Sequence, residues 1–213
     1  MKKIHMVDVV SEYEKHSNKI NTVIKNVLSS GAYIQGPEVE KFESLLSKYL
    51  KSEYVISCGN GTDALQIALM SLDLNPGDEV IVPSFTFVST VEAICLLGLK
   101  PVFIDINPDT FLLDVELMES HISNKTKVIM PVHLFGQCCD MSSIFSFAKK
   151  HNLFIIEDAA QSIGSKCRIN GHFQYSGTIG HIGITSFYPS KNLGCFGDGG
   201  ALFTQNQKFA NKI

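Results

Sequence analysis

The sequence contains a single arginine, Arg168, no run of basic residues and a formal charge of -3 at pH 7. Without a basic field there is nothing to grip a phosphodiester backbone, so nucleic-acid binding is not expected. Long apolar runs are missing too: stretches such as 80–83 and 155–156 fall far short of a bilayer crossing, and no membrane span is expected. The basic start, Met1-Lys2-Lys3, leads into Asp8, Glu12 and Glu14 rather than an apolar signal core, which points to the cytoplasm. Six cysteines (Cys58, Cys95, Cys138, Cys139, Cys167 and Cys195) lack paired CxxC spacing, so reduced thiols are expected and no metal site. Internal repeats and low-complexity segments are absent.

What is present is enough apolar residue, 45% of 213, to bury a core in one large domain. From residue 54 short β-rich runs alternate with helical patterns. Strands are expected over 54–58, 79–83, 101–105, 127–132 and 153–157, with helices over 62–72, 88–97, 114–122 and 141–151. That alternation calls for an α/β fold, a parallel sheet covered by helices on both faces. Strand patterns over 182–187 and 201–204 without intervening helices close it as a mixed sheet. Ahead of it, 9–28 and 37–50 read as helices, with Pro37 at a first helical position. Residues 1–50 are thus a helical segment packing on the large domain or on a partner subunit, and 51–213 the large domain. Ile213 falls inside an apparent helix beginning near Asn206 with no closing element, from which more chain is expected downstream.

Ligands of parallel sheets gather at the carboxyl ends of strands. The first such end, Cys58-Gly59-Asn60-Gly61-Thr62-Asp63, has glycines that let backbone approach a ligand and a helix start suited to a phosphate. Plain turn chemistry accounts for it equally well. It also fits the GxGxxA dinucleotide fingerprint, but that site wants an acid at the carboxyl end of the next strand, and Asp78 and Glu79 stand at its beginning. A nicotinamide enzyme is therefore kept only as an alternative.

Asp158 ends an apolar strand, where a carboxylate needs a partner such as a pyridinium nitrogen, or else caps the following turn. Lys191 lies between Ser186-Phe187-Tyr188-Pro189-Ser190 and a Gly-rich stretch. In such apolar, aromatic flanks an amine can attack a carbonyl carbon, although a lone lysine in a turn is more often solvated. Ser186 could meet a phosphate and Phe87 a ring, and each also passes as an ordinary residue. His133 is a candidate substrate contact, with a hydrogen-bonded structural histidine as the plainer reading.

Together, Gly61-Thr62-Asp63-Ala64-Leu65, Glu157-Asp158-Ala159-Ala160-Gln161, Ser186-Phe187-Tyr188-Pro189-Ser190-Lys191 and Gly197-Asp198-Gly199-Gly200-Ala201 resemble the DegT/DnrJ/StrS family of pyridoxal-phosphate (PLP) sugar aminotransferases. The resemblance runs from about residue 30 to the end. It implies the large domain of the fold type I (aspartate aminotransferase) PLP transferases, with Lys191 as the Schiff-base lysine. Asp158 would pair with the pyridine nitrogen and Gln161 with the ring hydroxyl. Gly61, Thr62, Asp63 and Ser186 would form the phosphate site, and Phe87 would lie on the ring. Lysine at 191 separates the chain from the dehydratase branch, which has histidine there.

The resemblance further implies transamination of a nucleotide-linked keto sugar for surface polysaccharide or related glycans, with glutamate as donor and a homodimer with interfacial active sites. Tyr33-Ile34-Gln35-Gly36-Pro37 and Phe135-Gly136-Gln137-Cys138 look most like members acting on 3-keto sugars, such as UDP-linked 3-keto-uronic acids. Relatives add a smaller C-terminal domain and an Asn-containing segment reaching the neighbouring subunit's cofactor phosphate. An inactive fragment of such an enzyme is accordingly the second reading, and one arginine supplies substrate anions poorly.

Overall fold

Helix caps and β-rich runs divide the chain much as its rhythm predicts. The computed structural model describes residue 4 and residues 6–213; the Met1-Lys2-Lys3 start lies outside the described residues. α1 (Val9–Ser30) begins where the Asp8 carboxylate accepts the N–H of Ser11 and ends at Gly31, whose φ of 68° reverses the chain. None of its residues is buried, and Val23, Ile24 and Leu28 are exposed. Pro37 opens α2 (Pro37–Leu50) at the expected residue. The chain divides into one unit through Leu45 and another from Leu46 to Ile213, so the boundary falls inside α2 rather than after it.

The second unit runs β1 (Tyr54–Cys58), α3 (Gly61–Met70), β2 (Glu79–Pro83), α4 (Ser89–Leu96), β3 (Lys100–Ile104), α5 (Met118–His121), β4 (Thr126–Ile129), α6 (Met141–His151), β5 (Phe154–Asp158), β6 (Lys166–Ile169), β7 (His172–Tyr175), β8 (Ile182–Ser186), β9 (Gly200–Thr204) and α7 (Gln207–Ala210). Seven strands form one sheet in the order β1-β9-β8-β5-β4-β2-β3. β9 alone is antiparallel to its neighbours, which makes the sheet mixed as expected. The expected helix over 114–122 is a 3-10 turn, Val115–Leu117, followed by the single turn of α5.

Strand periodicity sorts the core onto two faces. Val80, Val82, Ile182 and Ile184 pack with Leu65 and Leu69 of α3 and Ile94 of α4. Ile81, Ile104, Ile129 and Ile155 face the other way, toward Met118 of α5 and Ile144 of α6. Each fully buried aliphatic chain of this kind contributes about 1.5–3 kcal/mol. The buried central strands β2 and β8 hold the carboxyl ends of the sheet rigidly, which fixes whatever projects from them. Among the described residues no helix is long and apolar enough to cross a membrane.

Candidate active site

The carboxyl ends of β1, β2, β5 and β8 surround a cavity of about 750 Å³. Gly61, Thr62, Asp63, Phe87, Asp158, Gln161, Ser186 and Lys191 all line it, so residues up to 130 positions apart in sequence meet in one place. Two glycines make the approach possible. Gly200 pairs with both Cys58 and Ser186, and a Cβ on it would sit 2.5 Å from the Asn60 carbonyl. A Cβ on Gly61 would sit 2.7 Å from that of Ser186. Bare backbone at both points brings the Ser186 hydroxyl against the start of α3.

That start is built for an anion. The Asn60 side chain accepts the N–H of Asp63 at 2.9 Å, while the N–H groups of Gly61 and Thr62 stand ahead of the intrahelical ladder. Thr62 donates its hydroxyl to Ser89 at 3.0 Å. Asp63 reaches an incoming anion through its N–H only by sharing that cap bond, and its carboxylate already accepts from Asn60 Nδ2 at 3.0 Å.

Asp158 marks the opposite chemistry. Only 5% exposed, its Oδ1 accepts the N–H of Ala160 at 3.1 Å and its Oδ2 the hydroxyl of Thr90 at 3.0 Å. Burial pushes its carboxyl above the ordinary range, against the opposing pull of those two hydrogen bonds and of the Lys191 charge. A carboxylate has about four acceptor positions, so two remain for a cationic donor in the cavity. Lys191 enters from the loop after β8, its backbone N–H held by the Tyr188 carbonyl at 2.8 Å. Gln161 commits Oε1 to the N–H of Phe135 at 2.7 Å, which leaves its NH₂ group as the end able to donate. Phe87, 67% exposed, supplies an open aromatic face.

An amine, a buried carboxylate, a helix start with two N–H groups ahead of the intrahelical ladder and an exposed aromatic face line one cavity. Compared with known proteins, the chain matches the model of the DegT/DnrJ/EryC1/StrS aminotransferase family over residues 14–213. The chain belongs to this family.

Among DegT/DnrJ/EryC1/StrS relatives, the UDP-2-acetamido-2-deoxy-3-oxo-D-glucuronate aminotransferase of Pseudomonas aeruginosa is 46% identical over 99% of this chain and 57% of its own length. The 3-oxo-glucose-6-phosphate:glutamate aminotransferase of Bacillus subtilis is 41% identical over 97% of this chain and 45% of its own. The crystal structure of NtdA from Bacillus subtilis with bound cofactor PMP superposes with a TM-score of 0.89 at 38% identity, covering all of this chain and 47% of that one. The chain thus spans about half the length of the relatives it matches.

One candidate in this DegT/DnrJ/EryC1/StrS chain is displaced. His133 does not reach the cavity but is fully buried, with Nε2 2.8 Å from Glu157 Oε2 and Nδ1 accepting the N–H of Cys139 at 3.1 Å. Burial disfavours the imidazolium and the Glu157 carboxylate favours it. The Cys139 amide decides, because it occupies the lone pair a second proton would need, and His133 donates from Nε2 as a neutral ring. Glu157 also accepts the N–H groups of Gly177 at 2.9 Å and Ile179 at 2.6 Å, so the pair pins the loop behind β5. The dinucleotide reading fares no better: Glu79 opens β2 at the far end of the sheet, bound to Lys100, Ser123 and Thr126.

The sequence reading missed Asn60, Thr86, Ser89 and Thr90, all of which line the cavity. For the last three the signal was the hydroxyl-rich stretch 84–90, which runs from the end of β2 into the first turn of α4 and has no counterpart among simple sequence motifs.

Proposed function

We propose that this chain is the cofactor-holding part of a PLP-dependent aminotransferase acting on nucleotide-linked keto sugars. The observation that carries the proposal is the single cavity shared by Lys191, Asp158 and the start of α3. The residues present fit the cofactor at each end: a buried carboxylate with acceptor capacity left for a ring nitrogen, and a helix start with free N–H groups for a phosphate. When bound, PLP supplies a carbonyl carbon for amine exchange and an electron-withdrawing ring.

The chain's own groups do the rest. Asp158 would hold a proton on the ring nitrogen through a charge-assisted bond of about 1.5–3 kcal/mol. Gly61 and Thr62 N–H groups with the Ser186 hydroxyl would hold the phosphate, Gln161 would donate to the ring oxygen, and Phe87 would offer its face to the ring. Lys191 Nζ would hold the cofactor at its carbonyl carbon, with loss of water, and when free would carry protons as general base and acid.

The names of the two relatives support a 3-keto sugar as acceptor, a UDP-linked uronic acid first, and glutamate as donor. PMP, the aminated form of the cofactor, is bound in the neighbouring structure. The exposed apolar residues of α1 favour a homodimer, and six free cysteines favour a reducing compartment, the cytoplasm. With glutamate and a UDP-linked 3-keto sugar the protein should release 2-oxoglutarate, and Lys191→Ala should lower the rate on the order of a thousandfold. Turnover of 4-keto sugars alone would overturn the 3-keto assignment, and unchanged turnover in Lys191→Ala would overturn the mechanism.

A further inference from the structure

Thr90 lies in the first turn of α4, 68 residues from Asp158, and is 1% exposed. A threonine there ordinarily spends its hydroxyl on the backbone of its own helix. Instead Oγ1 reaches the end of β5 and meets Asp158 Oδ2 at 3.0 Å, while Thr86 Oγ1 lies 3.0 Å from Thr90 Oγ1. The direction of these bonds follows from proton counting. A carboxylate only accepts and a hydroxyl has one proton, so Thr90 donates to Asp158 and Thr86 must donate to Thr90. Aligned hydroxyls polarise one another, which strengthens the last bond in the chain.

We propose that Thr90, backed by Thr86, is a positioning residue that orients the Asp158 carboxylate toward the cofactor's ring nitrogen. The inference rests on the PLP reading above. Pinned at Oδ1 by the Ala160 N–H and at Oδ2 by Thr90, the carboxylate cannot turn about its Cβ–Cγ bond, and its remaining lone pairs keep a fixed plane at the cavity wall. The Thr90 hydrogen bond also favours the ionised carboxylate against burial. Thr90 thereby acts through Asp158 rather than on the cofactor's phosphate or carbonyl.

The test is a binding cycle on wild-type, Thr90→Val and Thr90→Ser proteins. Each is titrated with PLP and with the analogue in which C–H replaces the ring nitrogen. Wild type should prefer the nitrogen-containing form, Thr90→Val should lose about tenfold of that preference, and Thr90→Ser should keep it. Affinity for the analogue should stay level across the three, because a merely structural role would weaken both ligands alike. Full preference in Thr90→Val, or equal loss of both ligands, overturns the proposal and leaves the cofactor reading standing. No preference in wild type removes the pairing of Asp158 with the ring nitrogen itself. Should Thr90→Val fail to fold, Thr90→Cys, with its weak thiol donor, takes its place, and full preference there counts against the proposal.

Discussion

Asp158 is buried at a cost in stability that a bound pyridinium would return. Its carboxyl is raised by burial, so its contribution to stability is present below the ordinary carboxylate range and is lost as pH rises through the folded value. Asp158→Asn should therefore raise the apoprotein's melting temperature at pH 7, with the gain fading as pH falls toward the ordinary carboxylate range. The same change should weaken PLP binding about tenfold or more. Calorimetry of the apoprotein with a PLP titration checks both, and a destabilised variant with unchanged affinity would contradict them. At this scale Asp158 and Lys191 stood out as a charge closing an apolar strand and an amine among aromatics, but each alone read as a cap or a solvated turn residue, and only the motif resemblance pointed to roles for them. His133 is the hydrogen-bonded structural histidine of the plainer reading, whereas Thr90 was not legible, since its role depends on which carboxylate stands opposite, information no local pattern holds.

Among the elements, the far end of the sheet is tied by a different carboxylate. Glu79 opens β2 and accepts from Ser123 at 2.5 Å, Lys100 at 3.0 Å and Thr126 at 3.1 Å, joining β2 to the starts of β3 and β4. The Ser123 hydrogen bond and then Lys100 hold its carboxyl below the usual range. A lowered folded value adds stability above the ordinary carboxylate range and loses it as pH falls through that folded value. Glu79→Gln should cost about 2 kcal/mol at pH 7, a gap that narrows in acid; urea melts at several pH values measure it, and a pH-independent gap would contradict the assignment.

Most strands and helices were readable because buried parallel strands are dense in Val and Ile and α1, α3 and α6 carry side-chain caps. The hairpin of β6 and β7 escaped within the polar stretch 164–180. Its turn, Asn170-Gly171, has both residues at positive φ, and its flanks alternate as Lys166-Cys167-Arg168-Ile169 and His172-Phe173-Gln174-Tyr175, so the hairpin signal was present although each strand is only four residues long. The helix over 114–122 shortened because Asp114 caps a 3-10 turn that gives way to a single α-turn.

For the whole molecule, the sheet's order decides where chemistry can occur. β9 runs between β1 and β8 in the opposite sense, so its first residue, Gly200, meets the carboxyl ends of both, and the cavity opens there. The α/β rhythm announced the layers, whereas the strand order, set by long-range pairing, emerges only in three dimensions. Lys191 is the proposed attachment point of the cofactor. The most direct test is to incubate the protein with PLP, reduce with borohydride, digest, and weigh the peptides. The cofactor's mass should be fixed on the peptide containing Lys191; its attachment to another lysine, or to none, would contradict the account.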